Sequence, residues 1–308
     1  MVIRMFIRYS TDLKLGKRPA CLWNQNKMAT ENTDEVLAAW ETSSQYWNKH
    51  QALIEKMYAP LTRALIEEAE IVAGQAVLDI GGGAGEPSLS IARIVGPAGH
   101  VTFTDPTAGM VKAAQSESER RGLANIDFHQ CPAEELPFAD NSFDAVVGRL
   151  SSMFFSDVST ALREILRVTK AGGRVAFLVW ADRESNPFFS IITEVLNQFV
   201  PAEPEDEDAP TAFRFARPGK LATLLKDAGA VSVKERLLKF STEAPIDISK
   251  FWELRTEMSD SFRKKLATLA PDEVSAARAE VLKASAVYFE SGSMSFPSQV
   301  LIVSGRKT

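Results

Sequence analysis

The middle of the chain alternates between short apolar runs and stretches with helical apolar spacing. Each apolar run has the length of a buried strand, and the runs fall at 76–80, 100–105, 125–130, 143–148 and 174–180. The stretches between them repeat apolar residues every three or four positions, as amphipathic helices do. This alternation predicts an α/β fold, in which parallel strands form a sheet with helices on both faces.

Helical patterns also precede and interrupt this core. Residues 34–71 read as two helices, the first capped by Thr33 or Asp34, and Pro60 is expected to kink or split the second. Residues 181–217 and 245–295 break the core rhythm, and we expect them to form helical caps. The remaining pattern predicts three elements: a helix at 220–229, a strand from Val231 and a final strand at 298–305.

The first 27 residues differ in character from the rest. They carry six Lys and Arg residues, only Asp12 as an acid, and no sustained periodicity. Such a leader is either an organelle-targeting peptide or a disordered or non-native extension, and we expect the latter. The predicted division is therefore a leader at 1–27, an N-terminal helical lid at 28–73 and a sheet domain at 74–308.

A glycine-rich loop joins the first predicted strand to the helix that follows it. The loop carries Gly81, Gly83 and Gly85 directly after the strand residue Asp79. Glycines allow a sharp turn with positive φ and let a ligand lie against bare main chain. The helix behind them offers unpaired N–H groups to such a ligand. A glycine-rich turn without a ligand is the alternative interpretation of the loop alone.

The spacing of the glycines separates two classes of cofactor site. A dinucleotide site needs G-x-G-x-x-G, and Glu86 stands where the third glycine would be. The pattern that fits is D-x-G-x-G-x-G, and an acid before the glycines suits a cationic amine better than a pyrophosphate. Here the segment resembles motif I of the class I S-adenosyl-L-methionine (SAM) methyltransferases. The resemblance implies that the loop binds SAM, with Asp79 facing the methionine amine.

Further candidate ligand-binding residues follow the second strand. Asp105 lies twenty residues beyond Gly85, a spacing at which an acidic side chain reaches the hydroxyl pair of a ribose. Both dinucleotide and SAM proteins share this feature. The resemblance adds Pro106 and Met110 to the cofactor site, with Met110 packing against the adenine; an ordinary core methionine is the alternative.

The segment 131–144 is close to a phrase of the same family, G-D-A-E-E-L-P-F-x-D-x-S-F-D. In the family, the acid in this phrase accepts a hydrogen bond from the adenine amino group, but this chain has Pro132 there. The resemblance then leaves the backbone N–H of Ala133 to meet the ring, with Glu134 as a substitute acid. Weaker or re-angled adenine recognition is the expected consequence.

Polar and aromatic residues follow the fourth strand on the same sheet edge. Arg149 is expected to pair with the cofactor's carboxylate or with a substrate anion, because Arg favours bidentate carboxylate contacts. Phe154 and Phe155 either line a pocket for an apolar substrate or fill the core. His50, near the expected lid, is the best candidate for a general base, and no catalytic residue is assigned beyond it.

The family phrasing extends to 161–174, which is similar to A-L-x-E-I-x-R-V-L-K-P-G-G-R. The whole pattern looks most like the methyltransferase-11 group, which includes the ubiquinone/menaquinone-biosynthesis C-methyltransferases. The resemblance implies a Rossmann-like, seven-stranded and mostly parallel sheet, with the last strand antiparallel and helical cap insertions.

Composition narrows the class of protein. The formal net charge of -5 argues against a general nucleic-acid surface, and no apolar run is long enough to span a membrane. Two cysteines and three histidines are too few for a disulfide framework or a histidine-rich metal centre, so no metal is expected. We expect a cytoplasmic protein, unless the leader directs it to an organelle; its oligomeric state stays open.

The resemblance implies methyl transfer from SAM to an O, N or C nucleophile of a small, apolar or aromatic molecule, leaving S-adenosyl-L-homocysteine (SAH). Three alternatives stay open. They are a non-catalytic, methyltransferase-like SAM-binding subunit, a nicotinamide-dependent reductase, and an aminopropyl transferase that uses decarboxylated SAM. Pro132 favours the first, Glu86 disfavours the second and Arg149 disfavours the third.

Overall fold

A computed structural model describes residues 20–201, 206–290 and 292–308. Within them, seven strands form one sheet: β1 (Ala76–Ile80), β2 (His100–Asp105), β3 (Ile126–Gln130), β4 (Phe143–Arg149), β5 (Thr169–Trp180), β6 (Val231–Ala244) and β7 (Met294–Arg306). Their order across the sheet is β3-β2-β1-β4-β5-β7-β6. Strands β1 to β5 are parallel, whereas β7 runs antiparallel to both of its neighbours. The predicted Rossmann-like arrangement with an antiparallel last strand is confirmed.

Ten α-helices surround the sheet in the described part of the chain. They are α1 (Ala20–Lys49), α2 (Gln51–Glu68), α3 (Ser88–Val95), α4 (Ala108–Arg121), α5 (Val158–Val168), α6 (Pro187–Leu196), α7 (Lys220–Asp227), α8 (Ile248–Met258), α9 (Asp260–Ala267) and α10 (Pro271–Ser285). Helix α6 lies in the first predicted insertion, and α8 to α10 lie in the second. Helix α1 packs against α4, α8 and α9 rather than on the sheet itself.

The central strands are buried on both faces. Leu78, Val146 and Phe177 are fully buried in β1, β4 and β5. Strands covered by helices on both sides read as continuous apolar runs instead of an alternating pattern, which is why these runs were visible in the sequence. Because β1 pairs in parallel with both β2 and β4, the carboxyl ends of these three strands lie at one edge of the sheet.

Three predicted boundaries were wrong. Helix α1 begins at Ala20, ahead of the expected caps at Thr33 or Asp34, and Pro60 neither splits nor ends α2. The predicted division into two helices is confirmed, with the break at His50. Met57 and Leu61 flank Pro60 and are buried in the core, and this packing stabilises a helix that lacks one backbone hydrogen bond. Strand β5 begins at Thr169, earlier than expected.

The domain limits at 27, 73, 217 and 245 stay predictions. Residues 1–19 of the expected leader, and 202–205 of the acidic loop after α6, lie outside the described residues.

Candidate functional site

The glycine loop is held against the sheet by hydrogen bonds from both sides. The Gly82 N–H donates to the Thr104 carbonyl over 3.0 Å, and Ser151 Oγ donates to the Ile80 carbonyl over 2.6 Å. A Cβ atom on Gly82 would overlap the Phe103 ring, and one on Gly81 would lie 2.6 Å from the Ser151 Cβ. The loop is therefore as close to its neighbours as bare main chain allows.

Gly83 differs from the other loop glycines because its outer side is open. Its φ is +57°, and no atom of the described residues lies within 4 Å of where its Cβ would be. Gly83 forms part of the wall of a cavity at the carboxyl edge of the sheet. Its lining combines aromatic and apolar side chains with a few polar groups, as is typical of small-molecule sites. The loop thus exposes main chain to a space that a ligand can enter.

Asp105, at the end of β2, lies on the same cavity wall. Its Oδ2 accepts the Gly83 N–H over 3.0 Å, and its Oδ1 accepts the Thr107 N–H over 2.9 Å. Each carboxylate oxygen can accept more than one hydrogen bond, so the side chain keeps acceptor capacity for hydroxyl donors of a ligand, although the Thr107 side chain also bonds it. Burial raises the pKa of Asp105 to about 6.

Asp79 does not reach the cavity, contrary to the expectation from the sequence. Its carboxylate is completely buried behind the loop, with Oδ2 accepting Ser88 Oγ over 2.7 Å and Oδ1 lacking a partner among the described residues. Burial raises the pKa of Asp79 to about 7. The acid that does line the cavity beside the loop is Glu86, which the sequence analysis had considered only as a missing glycine.

Arg149 lies on the cavity wall, as expected, at the end of β4. Its Nη1 donates to Thr62 Oγ1 over 2.7 Å, and its guanidinium carbon lies 5.8 Å from the centre of the Tyr58 ring. Burial lowers the pKa of Arg149, opposed mainly by the negative charges of Glu86 and Asp79. Arg149 therefore provides a cation within a largely acidic end of the cavity.

The residues expected at the adenine are only partly brought together. Pro106 and Met110 line the cavity, and Met110 is buried. Pro132 and Ala133 do not line it, so the structure does not place them at the site. Glu134 does not line the cavity either, and its Oε1 accepts the N–H groups of Ser156 and Asp157 at the start of α5.

Aromatic side chains form the apolar side of the cavity. Trp40 and Trp47 of α1 face Tyr58 of α2 and, beyond β4, Phe154 and Phe155. The Trp40 ring makes edge contacts with Trp47 at 5.7 Å and with Phe154 at 5.0 Å between ring centres. Helix α1 is fixed there, because Glu41 accepts the Gly109 N–H at the start of α4 over 3.1 Å.

His50, the candidate base, lies outside the cavity wall. Its Nε2 is 2.5 Å from Glu257 Oε2 on α8, and Lys49 binds the same carboxylate. His50 therefore joins the helix junction to α8, and its position does not support the predicted role as a base, which stays a prediction. The sequence could not reveal this pairing, since Glu257 is about two hundred residues away along the chain.

Sequence reasoning missed several polar residues of the cavity wall. Gln51 and Glu55 on α2 line the cavity together with Glu86, and Gln51 Nε2 donates to the carbonyl of Ala84 in the loop. Their helical spacing placed Gln51 and Glu55 on the polar side of α2, which gave no reason to expect them at a ligand site. Only the fold, which lays α2 across the loop, reveals them.

No cluster of three or more His, Cys, Asp and Glu side chains among the described residues has an arrangement suited to a metal ion. None of the helices that the structure describes is both long enough and apolar enough to cross a bilayer.

Known protein families match the part of the chain that contains the first five strands of the sheet. Residues 78–177 match the model of a methyltransferase domain family. The chain is also 39% identical over 129 residues to the ubiquinone/menaquinone biosynthesis C-methyltransferase UbiE of Hahella chejuensis, and 41% identical over 117 residues to that of Pseudomonas putida. These alignments cover 42% and 38% of this chain. The chain spans about half the length of these curated relatives, 51% and 46% respectively.

Solved structures share the fold over a larger part of the chain. The YcgJ protein from Bacillus subtilis is 24% identical with a TM-score of 0.53, covering 80% of this chain and 97% of its own. The [4+2]-cyclase SpnF is 20% identical with a TM-score of 0.51, covering 87% of this chain and 95% of its own. Because a cyclase has this fold as well, the architecture alone does not decide the reaction.

Proposed function

We propose that the protein transfers the methyl group of SAM to a small acceptor and releases SAH, because residues 78–177 match a methyltransferase domain family and the related UbiE proteins are C-methyltransferases. The proposed acceptor is an apolar or aromatic molecule with an O, N or C nucleophile. The observation that carries the proposal is the shared cavity wall of Gly83 and Asp105. Bare main chain and a carboxylate with free acceptor capacity suit an adenosyl group.

The described residues offer partners for the ribose, the adenine and the carboxylate of SAM. Asp105 would accept the ribose hydroxyls, Met110 and Pro106 would contact the adenine, and Arg149 would bind the methionine carboxylate. Gly83 would leave room for the chain between them. These are proposals from the positions of the side chains on the cavity wall.

The protein's main task in this reaction is alignment. SAM supplies an already activated methyl group on a sulfonium. The chain's own residues have to hold the acceptor on the side of the methyl group opposite the sulfur and to exclude water. Good orientation alone can lower the activation barrier by about 7–11 kcal/mol. Trp40, Trp47 and Phe154 form an apolar wall that would exclude water. No described residue is assigned as a general base, and an acceptor of suitable pKa does not need one.

The aromatic wall supports an apolar or aromatic acceptor. Five aromatic side chains line one side of the cavity: Trp40, Trp47, Tyr58, Phe154 and Phe155. The curated relatives are named for ubiquinone and menaquinone biosynthesis, and a ring-shaped acceptor of related character would suit these surfaces. Whether carbon, oxygen or nitrogen receives the methyl group is left open by this proposal.

Titration of the intact chain with SAM, SAH and NADH, followed by calorimetry and by tryptophan emission, tests the proposal. SAM and SAH are expected to bind saturably and to change the emission, because Trp40 and Trp47 lie on the cavity wall. NADH is expected to bind weakly, since Glu86 occupies the position of the third glycine of a dinucleotide loop. Saturable NADH binding without SAM binding would contradict the proposal and favour a reductase.

Methyl transfer is measured with methyl-labelled SAM and a panel of acceptors, namely phenols, quinols, amines and compounds with an acidic C–H group. Label is expected in at least one apolar ring compound. Tight SAM binding with no labelled product from any acceptor class would favour the non-catalytic, SAM-binding subunit.

A further inference from the structure

Glu86 has no role in the site described so far. It directly follows the glycine loop, lies on the cavity wall and is only 7% exposed. Its Oε2 has no hydrogen-bond partner among the described residues. A buried carboxylate oxygen without a donor is costly unless a bound group completes it.

The neighbouring cation does not neutralise Glu86 well. Arg121 Nη1 is 3.3 Å from Glu86 Oε1, but the same guanidinium makes shorter contacts with Glu55 at 2.5 Å and Glu117 at 2.6 Å. Arg121 thus contacts three carboxylates, of which Glu55 and Glu86 line the cavity, while Arg120 contacts Glu117 as well. Burial raises the pKa of Glu86, although the Ser90 side chain and the charges of Arg149 and Arg121 oppose the shift. The Oε2 atom of Glu86, which lacks a partner among the described residues, is therefore suited to an additional donor such as a cation.

Asp79 is the competing candidate for the same cation, and the structure disfavours it. Its carboxylate is fully buried and absent from the cavity wall. Asp79 Oδ2 lies only 2.8 Å from where a Cβ on Gly82 would be, so the loop main chain separates it from the cavity. A ligand would have to displace the loop to reach Asp79, whereas Glu86 is already on the wall.

The charges near Glu86 match an α-amino acid group. Arg149 lies on the same wall. Among the neighbouring charged groups, Glu86 raises the pKa of Arg149 most. A carboxylate and a guanidinium that share one end of a cavity are complementary to an ammonium and a carboxylate on one carbon atom.

We propose that Glu86 binds the α-ammonium group of SAM and SAH, while Arg149 binds their carboxylate. The inference rests on the proposed function, because it assigns a residue to the ligand of that site. Glu86 replaces Asp79 as the acidic partner of the methionine amine. Asp79 then has a structural role, holding Ser88 at the start of α3.

The test compares SAH with its des-amino analogue, which keeps the carboxylate but lacks the ammonium group. By calorimetry, the unmodified protein is expected to prefer SAH by about tenfold or more, as for a hydrogen bond between charged groups. Glu86→Gln is expected to weaken SAH to the level of the analogue and to leave the analogue's affinity unchanged. Glu86→Asp, which keeps the charge, is a second variant and is expected to retain part of the preference.

Asp79→Asn serves as the control, because Asp79 does not line the cavity, and this variant should keep the preference for SAH. Thermal unfolding of every variant checks that the fold is intact.

Distinct results overturn distinct claims. Retention of the preference in Glu86→Gln would overturn the role of Glu86. Selective loss in Asp79→Asn would return the amine to Asp79 and overturn it as well. If the unmodified protein bound neither SAH nor the analogue, the proposed function itself would fail together with the inference.

Discussion

At the residue scale, the site depends on which buried carboxylates face the cavity. Sequence spacing predicted Asp105 at a strand end, and the structure places it on the cavity wall. The same reasoning chose Asp79 and overlooked Glu86. Spacing identifies acids near a loop, but the direction of each side chain depends on how the loop folds. Here the loop passes between Asp79 and the cavity and leaves Glu86 on the open side.

The pH dependence of ligand binding should reveal Asp105. Its raised pKa of about 6 means that the carboxyl is largely protonated near pH 5 in the free protein. Only the ionised form can accept a hydroxyl donor on both oxygens, so affinity should fall on the acid side and rise as pH increases through 6. For 5′-methylthioadenosine, which has the ribose but no amino acid group, we expect a loss of about tenfold between pH 7.5 and pH 5.

Asp105→Asn provides the control for this titration. An amide has only one accepting oxygen, so binding should be weaker at neutral pH and nearly independent of pH. An unchanged pH profile in this variant, measured by calorimetry, would show that another group controls the dependence. Unchanged affinity at neutral pH would remove Asp105 from the ribose site.

At the element scale, periodicity predicted the types of helices and strands well and their ends less well. The buried strands were visible because helices cover both faces of the sheet. The continuity of α2 through Pro60 was not, since its stability comes from packing against residues distant in the chain. Likewise, nothing in the local sequence could show that α2 lays Gln51 against the glycine loop. Contacts between elements, not local propensity, decided these features.

The glycine loop offers a prediction with a matched control. Gly83 and Gly122 both have left-handed backbone, with φ of +57° and +67°, and open space at the Cβ position. Gly83→Ala and Gly122→Ala should therefore lower the free energy of unfolding by similar amounts, about 1–2 kcal/mol each. Only Gly83→Ala should also weaken SAM binding, because its methyl group would enter the cavity.

Denaturant unfolding and calorimetry on the two variants measure these quantities. A SAM affinity that is unchanged in both Gly83→Ala and Gly122→Ala would contradict the close approach of a ligand to the loop main chain. A loss of affinity in both would instead indicate that backbone strain, not contact, weakens binding.

At the scale of the whole molecule, the order of the strands brings the site together. The central position of β1, between β2 and β4, gathers the glycine loop, Asp105 and Arg149 at one edge, as expected for ligand sites of open α/β sheets. The sequence could predict this edge because strand ends and loop residues are local features. It could not predict the cavity's second half, which α1 and α2 supply by packing across that edge.

The fold alone does not determine the reaction, which depends on the side chains of the site. The structural similarity extends to a [4+2]-cyclase, so the same sheet serves more than one reaction. The claim that a bare loop and a carboxylate bind an adenosyl group is therefore central to the proposed function, and it concerns contacts rather than architecture.

A crystal structure of the full chain with SAH tests this claim most directly. We predict the ribose hydroxyls within hydrogen-bond distance of the Asp105 carboxylate, about 3 Å or less, with the ligand lying against the main chain of Gly83. SAH bound away from Asp105, or an empty cavity at a saturating SAH concentration, would contradict the account.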